Sequence, residues 1–140
     1  MFGEERASWR KSCEVDGVVA DIWLVPPQCA GLRIVGHLDV AAAKRVVALM
    51  MDAFAATPDG ENFTLFCDYS ALTGADPDAR TILQDAVKKH KDRFHVIHYL
   101  VPSKLIAAAV QVSGLWHGIP TKTWTSRARM ELELVRTGGK

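Results

Sequence analysis

The side chains best placed for chemistry follow two apolar runs of the chain, at the points where each run ends. In parallel α/β sheets, loops and helix N-termini gather at the carboxyl ends of the strands, and ligands or partners bind there. The residues at these two points form a candidate binding surface, called the rim below: Asp68, Ser70, Thr73, Gly74, Asp76, Asp78 and Arg80 after the first run, and Ser103 and Lys104 after the second. Taken singly, Asp76 and Ser103 are also typical helix caps and Gly74 is a typical turn residue, so only their convergence predicts a site.

Neither covalent catalysis nor metal binding is favoured by the residue spacing. The chain has no Gly-x-Ser-x-Gly elbow for a nucleophile and no glycine-rich phosphate loop. His95 and His98 lie on an expected strand, where side chains at this spacing point to opposite faces and cannot share an ion. The cysteines include no Cys-x-x-Cys pair, and Cys67 lies in an apolar run as a small buried hydrophobe. We therefore expect no catalytic residue, no metal ion and no cofactor.

Composition and charge describe one ordinary globular domain. The chain has 140 residues, of which 49% are apolar and 24% are charged, which is enough to bury a single core. A net charge of +1 provides no field to gather nucleic acid or an anionic membrane. The basic run 88–93 is typical of a solvated helix C-terminus. No segment resembles a secretory signal or has the roughly 18 apolar residues of a membrane span, so we expect a cytoplasmic protein.

Strands and helices alternate along the chain after two opening strands. The expected strands are 18–25, which ends at Pro26-Pro27, and then 32–38, 62–69, 94–101 and 121–125. Each expected helix begins at a capping residue. Asp39 caps a first helix, which ends at Thr57-Pro58-Asp59-Gly60, and Asp76 with Pro77 starts a second, which ends near Lys91. Ser103 caps a third helix, which ends near Trp116, and Ser126 caps a final helix with Met130 and Leu134 on one face.

This order of elements predicts the fold class. Short connections between alternating strands and helices imply right-handed crossovers and parallel pairing. We expect a single α/β domain over residues 18–137, with a mixed, mostly parallel sheet of about five strands and four crossover helices. Residues 1–17 are polar and mixed, and we expect a partly flexible segment whose second half can form an edge strand.

The segment Asp68-Tyr69-Ser70-Ala71-Leu72-Thr73-Gly74-Ala75-Asp76 resembles the STAS domain, the fold of bacterial anti-sigma factor antagonists of the SpoIIAA type. In that family a strand ends in Asp-Leu-Ser and runs through a short loop into a helix. The order of strands and helices resembles that of the family over residues 18–136, whereas the likeness in amino-acid sequence is confined to little more than this loop. It implies a SpoIIAA-like fold and a non-enzymatic regulatory module that acts through protein–protein contact in bacterial signalling.

The resemblance fails at the residue on which the family's switch depends. In phosphorylatable members a second Asp, eight residues after the first, is followed by the serine that a partner kinase modifies. Counting from Asp68 places Asp76 as the second Asp and Pro77 at the position of the serine. Proline has no hydroxyl, so a phosphate cannot appear there. Ser70 and Thr73 are the nearest hydroxyls. We expect neither to be phosphorylated, because a phosphate there would be repelled by the nearby Asp68, Asp76 and Asp78 unless Arg80 or Lys104 folds over to compensate.

A second hypothesis is a carrier or sensor of a small apolar, lipid-like or anionic ligand. The family fold is related to lipid-binding domains, and the chain has candidate lining residues in Met50, Met51, Trp116 and Trp124. Packing in the core is the favoured explanation for the tryptophans, because four of them are not excessive in a core of this size. A weak homodimer is also expected, through an exposed edge strand or the final helix.

Overall fold

The first half of the sheet is an antiparallel meander. The computed structural model describes residues 3–57, 61–103 and 118–138. Strand β1 (Trp9–Val15) pairs antiparallel with β2 (Val18–Val25), which pairs antiparallel with β3 (Cys29–Leu38). Asp16 and Gly17, with φ of 51° and 83°, form the two-residue turn between β1 and β2, a conformation that matches the twist of the strands it joins. The possible edge strand before Val18 is therefore present as β1. The division of the chain into an N-terminal segment, residues 1–17, and a domain, residues 18–137, stays a prediction.

The second half alternates between helices and parallel strands. Its elements are α1 (Val40–Ala55), β4 (Phe63–Asp68), β5 (Leu72–Ala75), α2 (Pro77–Lys89), β6 (Phe94–Leu100), β7 (Thr121–Trp124) and α3 (Arg127–Gly138). The strand order is β1-β2-β3-β4-β6-β7, and β5 pairs with β3. The pairs β3–β4, β3–β5, β4–β6 and β6–β7 are all parallel. The predicted mixed, mostly parallel α/β sheet is confirmed.

The strand and helix counts differ from the prediction. Within the described residues the sheet has seven strands rather than about five, because β1 and β5 join it. The long strand β3 pairs with β4 along Cys29–Arg33 and with β5 along Gly36–Leu38. Strand β5 therefore pairs with the part of β3 that extends beyond β4. Three α-helices lie within the described residues, and α3 follows the last strand instead of joining two strands. The expected helix 103–116 falls almost entirely in residues 104–117, outside the described residues.

Capping residues start the described helices, but they do so in different ways. Asp39 accepts a hydrogen bond from the backbone N–H of Ala42 at 2.8 Å and caps α1 as predicted. Asp76 stands at the N-cap of α2 with Pro77 at the first helical position, yet its side chain makes no capping hydrogen bond. It binds His37 instead. Ser126 Oγ accepts from the N–H of Arg129 at 3.4 Å at the start of α3.

The sheet separates two apolar cores. Helices α1 and α2 pack together on one face, over a core that includes Ile34, Val46 and Leu65. Helix α3 packs on the other face, where Met130 and Leu134 contact a second cluster with Trp23, Phe66 and Leu100. Met130 and Leu134 are buried together on one side of α3, as its spacing predicted. Every residue of β4 is buried, as expected of a central strand covered on both faces.

Candidate functional site

The sheet divides the rim between its two faces. Successive side chains of a strand point to opposite faces. Cys67 therefore faces α1 and α2, whereas Asp68, the last residue of β4, faces α3. Thr73, Gly74 and Arg80 lie with Cys67 on the first face, and Ser70 lies with Asp68 on the second. The residues that the sequence grouped as one site thus form two, one polar and one largely apolar.

On the α3 face, Asp68 is the centre of a hydrogen-bonded network. Its Oδ1 accepts from the N–H of Ser70 at 3.1 Å and from Ser70 Oγ at 2.6 Å. Its Oδ2 lies 3.2 Å from Arg127 Nη2 and 3.5 Å from Arg33 Nε. Arg127 Nη2 also donates to Ser70 Oγ at 3.0 Å. Since Asp68 is only 4% exposed, these partners replace the water that the carboxylate loses on folding.

The network determines the protonation state of Asp68. Burial alone would raise the pKa of this carboxyl group, because it disfavours the charged form. The hydrogen bonds from the side chain and backbone of Ser70, followed by the charge of Arg127, outweigh burial and lower the pKa of Asp68 below its ordinary value. Asp68 is therefore an ionised carboxylate, stabilised by its hydrogen bonds and ion pairs, and a weak base. Its role is to fix the loop after β4 rather than to exchange protons.

A chain of ion pairs extends from Asp68 towards the N-terminus. Arg33 pairs with Glu4 as well as with Asp68, and Arg10 Nη1 lies 3.1 Å from the same Glu4 carboxylate. The guanidinium carbon of Arg33 stands 5.2 Å from the centroid of the Trp23 ring. Sequence reasoning missed Glu4, Arg10 and Arg127 at this site. The one available signal was Arg33, which alternation placed on the polar face of its strand.

On the opposite face, the sheet and helices α1 and α2 line a partly open cavity of about 390 Å³. Its walls are mainly apolar, and the described lining residues come from every neighbouring element: Leu32, Ile34, Leu38, Met50, Leu65, Cys67, Tyr69, Leu72, Thr73, Gly74, Ala75, Arg80, Leu83, Gln84, Val87, Tyr99 and Pro102. Among these, Thr73, Arg80 and Pro102 are exposed. They therefore mark where the cavity meets solvent, between β5, the first turns of α2 and the end of β6.

The polar groups deep in the cavity are neutral. Burial raises the pKa of the Cys67 thiol and of the Tyr69 and Tyr99 phenols, because a buried thiolate or phenolate loses its hydration. The Tyr69 and Tyr99 rings lie 5.3 Å apart, centroid to centroid, and contribute aromatic surface to the wall. A protonated thiol is a poor nucleophile, so Cys67 behaves as the small hydrophobe that the sequence predicted.

The rim residues Asp76, Asp78 and Ser103 are not among the described residues that line the cavity. Asp76 Oδ1 accepts a hydrogen bond from His37 Nε2 at 2.8 Å, and both side chains are about half exposed. A Cβ atom at Gly74 would lie 3.0 Å from His37 Nδ1, so the glycine leaves room for this pair above β5. Asp78 is exposed in the first turn of α2 and Ser103 is exposed after β6. Lys104 lies outside the described residues.

This arrangement of strands, helices and loops occurs in proteins of known structure. An uncharacterised protein of the DUF3478 family from Shewanella loihica PV-4, itself described as having a SpoIIAA-like fold, superposes with a TM-score of 0.69. The match covers 89% of this chain and 98% of that one at 17% identity. This chain has a SpoIIAA-like fold.

Two anti-sigma factor antagonists show the same SpoIIAA-like fold. The antagonist SpoIIAA in its unphosphorylated form matches with a TM-score of 0.57 and 15% identity, over 84% of this chain and 97% of its own. An anti-sigma factor antagonist from Mycobacterium paratuberculosis matches with a TM-score of 0.58 and 13% identity, over 91% of this chain and 98% of its own. No family model and no curated protein matches the sequence. At these identities the likeness is one of fold.

The residues proposed for ligand binding are separated in the SpoIIAA-like fold. Met50 lines the cavity, whereas Met51 is half-buried against the neighbouring core. Trp124 is on the α3 face, where its ring stacks on His98 at 5.9 Å and its Nε1–H donates to His98 Nδ1 at 3.0 Å. Trp116 lies outside the described residues. Of the four side chains that the sequence singled out, Met50 alone is described as part of the cavity wall.

Residues 3–57, 61–103 and 118–138 contain neither a metal-binding cluster nor a membrane-spanning helix. No group of three or more His, Cys, Asp or Glu side chains there is arranged to hold a metal ion. No helix in the same part of the chain combines the length and the apolar character needed to cross a membrane.

Proposed function

We propose that this domain is a non-enzymatic regulatory module that acts through protein–protein contact, in the cytoplasm of a bacterium. The observation that carries the proposal is a SpoIIAA-like fold that extends over 97% and 98% of the chains of two anti-sigma factor antagonists. The contact surface is the part of the rim exposed on the loop after β4 and the first turns of α2. Ser70, Thr73, Asp78 and Arg80 are all exposed there.

The chemistry of the described side chains supports a module without catalysis. Nucleophilic catalysis needs a hydroxyl or thiol beside a group that can accept its proton. The Ser70 hydroxyl donates to Asp68, but that carboxylate has a lowered pKa and is a poor base. The Cys67 thiol has a raised pKa, and burial followed by the charge of Lys122 lowers the pKa of His98 to about 4. His98 is also 1% exposed, so it has no access to a substrate.

The start of α2 supports contact that does not depend on phosphorylation. Pro77 occupies the first helical position, where the resemblance to the STAS family places the modified serine. The partner therefore meets a helix start that carries the Asp76 and Asp78 carboxylates permanently. A surface with fixed charge binds its partner without a covalent switch, and regulation then comes from the amount or the state of the partner.

A pull-down from a bacterial lysate tests the protein-contact proposal. The full chain is immobilised in three forms: wild type, Asp76→Arg and Asp92→Arg. Asp92→Arg is the matched control, because Asp92 is exposed before β6, at the other end of the parallel strands. We expect a regulator, kinase or sensor protein on the wild type and on Asp92→Arg, and its loss on Asp76→Arg. Equal recovery on Asp76→Arg, or no protein above an empty resin, would contradict the proposal.

The cavity favours a second candidate function, a carrier or sensor of a small apolar ligand. Ligand pockets are typically concave, mostly apolar and about 300–1,000 Å³ in volume. A cavity of about 390 Å³ with few polar groups falls in this range. Native mass spectrometry of freshly purified protein is the direct test. We expect a species heavier than the 15.4 kDa chain that returns to this mass when the ligand is stripped. Retention of neither a native ligand nor an added apolar probe would argue against a carrier.

A weak homodimer remains part of the proposal. Leu132 and Val135 are 70% and 57% exposed on the outer face of α3, and β1 is an edge strand of the sheet. Both features are surfaces on which a second copy can pair across a two-fold axis. Sedimentation velocity over a concentration series is expected to show reversible dimerisation, weakened by Leu132→Glu. A monomer at every concentration would rule the dimer out.

A further inference from the structure

Arg80 is the one cationic side chain among the described residues that line the cavity. It is exposed at the cavity opening, on the first turns of α2. The arginines of the α3 face are held by acids, as Arg33 is by Glu4 and Arg127 is by Asp68. By contrast, no ion pair joins Arg80 to a carboxylate of the described chain. Its guanidinium is therefore available to an anion from outside.

The acidic residues near Arg80 in sequence do not neutralise it. Asp76, four residues earlier, directs its carboxylate to His37 at 2.8 Å. Asp78 is two residues away, and side chains at that spacing on a helix do not face each other. Neither Asp76 nor Asp78 is among the described residues that line the cavity. An anion at the opening meets the guanidinium without an intervening carboxylate in the lining.

The face of α2 turned to the cavity changes in polarity along its length. Arg80 and Gln84, one helical turn apart, are the polar positions, and Leu83 and Val87 continue the same face as apolar surface. On the opposite wall, Leu32 and Leu65 of the sheet are 2% and 3% exposed. The site thus has one cationic end at the solvent and a largely apolar interior whose polar groups are uncharged. An occupant that matches both parts has an anionic head and an apolar chain.

We infer that the cavity binds a single-chain amphiphile with an anionic head group, a carboxylate or a phosphate, with the head at Arg80 and the chain between the sheet and α2. The inference rests on the second of the proposed functions and specifies its ligand. Arginine suits this role because its planar guanidinium offers paired N–H donors to the oxygens of a carboxylate or a phosphate. A neutral alcohol of the same chain length fills the apolar part but leaves the guanidinium without its partner.

Isothermal titration calorimetry on the full, ligand-stripped chain tests the inference with matched probes. Decanoate and decyl phosphate carry the two anionic heads, decanol carries the chain alone, and acetate and inorganic phosphate carry the heads alone. We expect at least one anionic amphiphile to bind about tenfold more tightly than decanol, the effect of one charge-assisted hydrogen-bonded pair. The tighter of the two identifies the head group. Acetate and inorganic phosphate are expected not to bind at the same concentrations.

Variants at Arg80 separate head recognition from chain burial. In Arg80→Gln the affinity for the preferred anionic amphiphile should fall about tenfold, to that of decanol, while decanol binding is unchanged. Arg80→Lys should retain an intermediate affinity, because an ammonium keeps the charge but loses the paired geometry. Lys89→Gln removes the same charge from the far end of the same helix, outside the described cavity lining, and should bind as the wild type does.

The outcomes distinguish failure of the inference from failure of the proposed function. If decanol and both anionic amphiphiles bind equally, and Arg80→Gln changes none of them, the cavity is an apolar ligand site and the anionic head group is wrong. If no chain-bearing probe binds the wild type, the carrier function fails together with the inference. Circular dichroism of each variant confirms folding first, and the exposed position of Arg80 makes Arg80→Gln safe for the fold.

Discussion

Arg127, the first residue of α3, lies with its Nη2 3.2 Å from Oδ2 of Asp68, the last residue of β4. The pair joins two segments that are far apart in the sequence, and the same guanidinium reaches Ser70 Oγ at 3.0 Å. The start of the loop after β4 is thereby fixed from outside, by the terminal helix. Any partner that contacts this loop meets a surface whose shape depends on α3 being in place.

Replacing Asp68 should destabilise the domain more than replacing an exposed carboxylate. Asp68→Asn keeps the shape of the side chain but removes the charge that Arg33 and Arg127 face, and we expect a loss of about 2–3 kcal/mol in the free energy of unfolding. Asp52→Asn is the control, because Asp52 pairs with Lys11 at 2.6 Å on the surface, where such a pair contributes less than about 1 kcal/mol. Urea unfolding measures both. Equal losses in the two variants would show that the Asp68 network has no special role.

His98 should make the domain sensitive to mild acid. Its ring is stacked on Phe66 with centroids 4.5 Å apart, and its pKa in the folded state is lowered to about 4. The unfolded chain has the ordinary histidine pKa of about 6.5, so it takes up this proton at a higher pH than the folded chain does. The contribution of His98 is therefore complete above about pH 6.5 and is lost as the pH falls towards 4, by up to about 3 kcal/mol.

A pair of glutamine variants isolates the His98 effect from the protonation of carboxylates. In His98→Gln the side chain still accepts a hydrogen bond but does not titrate, so its deficit in unfolding free energy relative to the wild type should shrink as the pH falls from 7.5 to 4.5. His95→Gln, at an exposed position of the same strand, should leave the pH profile of the wild type unchanged. A constant deficit for His98→Gln across this range would refute the assignment.

The close contact between β2 and β3 should make Gly31 intolerant of a side chain. Gly31 stands opposite Trp23 in the register, and a Cβ atom at Gly31 would lie 2.2 Å from Cε2 of the indole. Trp23 is fully buried, so its ring cannot move aside into solvent. We expect Gly31→Ala to cost about 3 kcal/mol, the upper end of the range for overpacked cores.

Gly74→Ala is the matched control for Gly31→Ala. The nearest group to a Cβ at Gly74 is the half-exposed ring of His37, which can rotate away. We expect a loss below about 1 kcal/mol, within the usual range for surface substitutions and small packing changes. Thermal unfolding of both variants makes the comparison. A Gly31→Ala protein as stable as Gly74→Ala would mean that the Trp23 ring is not held over the glycine.

Local signals were sufficient to predict most of the elements. Asp39 before a helical repeat, Pro77 at the start of α2, and the apolar run of β4 each determine structure through their immediate neighbours, and each prediction is confirmed. Strand β5 was missed because Leu72–Ala75 has no strand pattern of its own. It becomes a strand because the carboxyl half of β3 extends beyond β4 and offers free hydrogen-bonding groups to it. That partner is distant in sequence, so no local pattern reveals the pairing.

The candidate site was predicted in part for the same reason. The loop after β4 was located correctly as a concentration of polar residues, but alternation along β4 sends Asp68 and the cavity residue Cys67 to opposite faces. Arg33 and Arg127, which hold Asp68, come from β3 and α3, and their approach depends on the packing of the whole sheet. The cavity depends on the same packing. Spacing within one segment contains no information about either feature.

The absence of regulatory phosphate on residues 68–80 remains a prediction, and the described contacts strengthen it. Ser70 Oγ donates to Asp68 at 2.6 Å, so a phosphate there would replace this bond with repulsion between anions. Arg127 stands beside Ser70 but is already paired with Asp68, and so it offers little net positive charge to a phosphate. Thr73 is exposed on β5, with Asp76 and Asp78 following it in the chain.

Incubation of the full chain with ATP and a bacterial lysate, followed by peptide mapping, measures this directly. We expect no more than trace phosphate on Ser70 or Thr73 in the wild type. Asp68→Asn supplies the informative comparison: it removes the carboxylate that repels a phosphate and that pairs with Arg127, so any phosphate on Ser70 should increase in this variant if repulsion is the barrier. Stoichiometric phosphate on Ser70 or Thr73 of the wild type would overturn both the alignment that places Pro77 at the switch position and the proposal of constitutive contact.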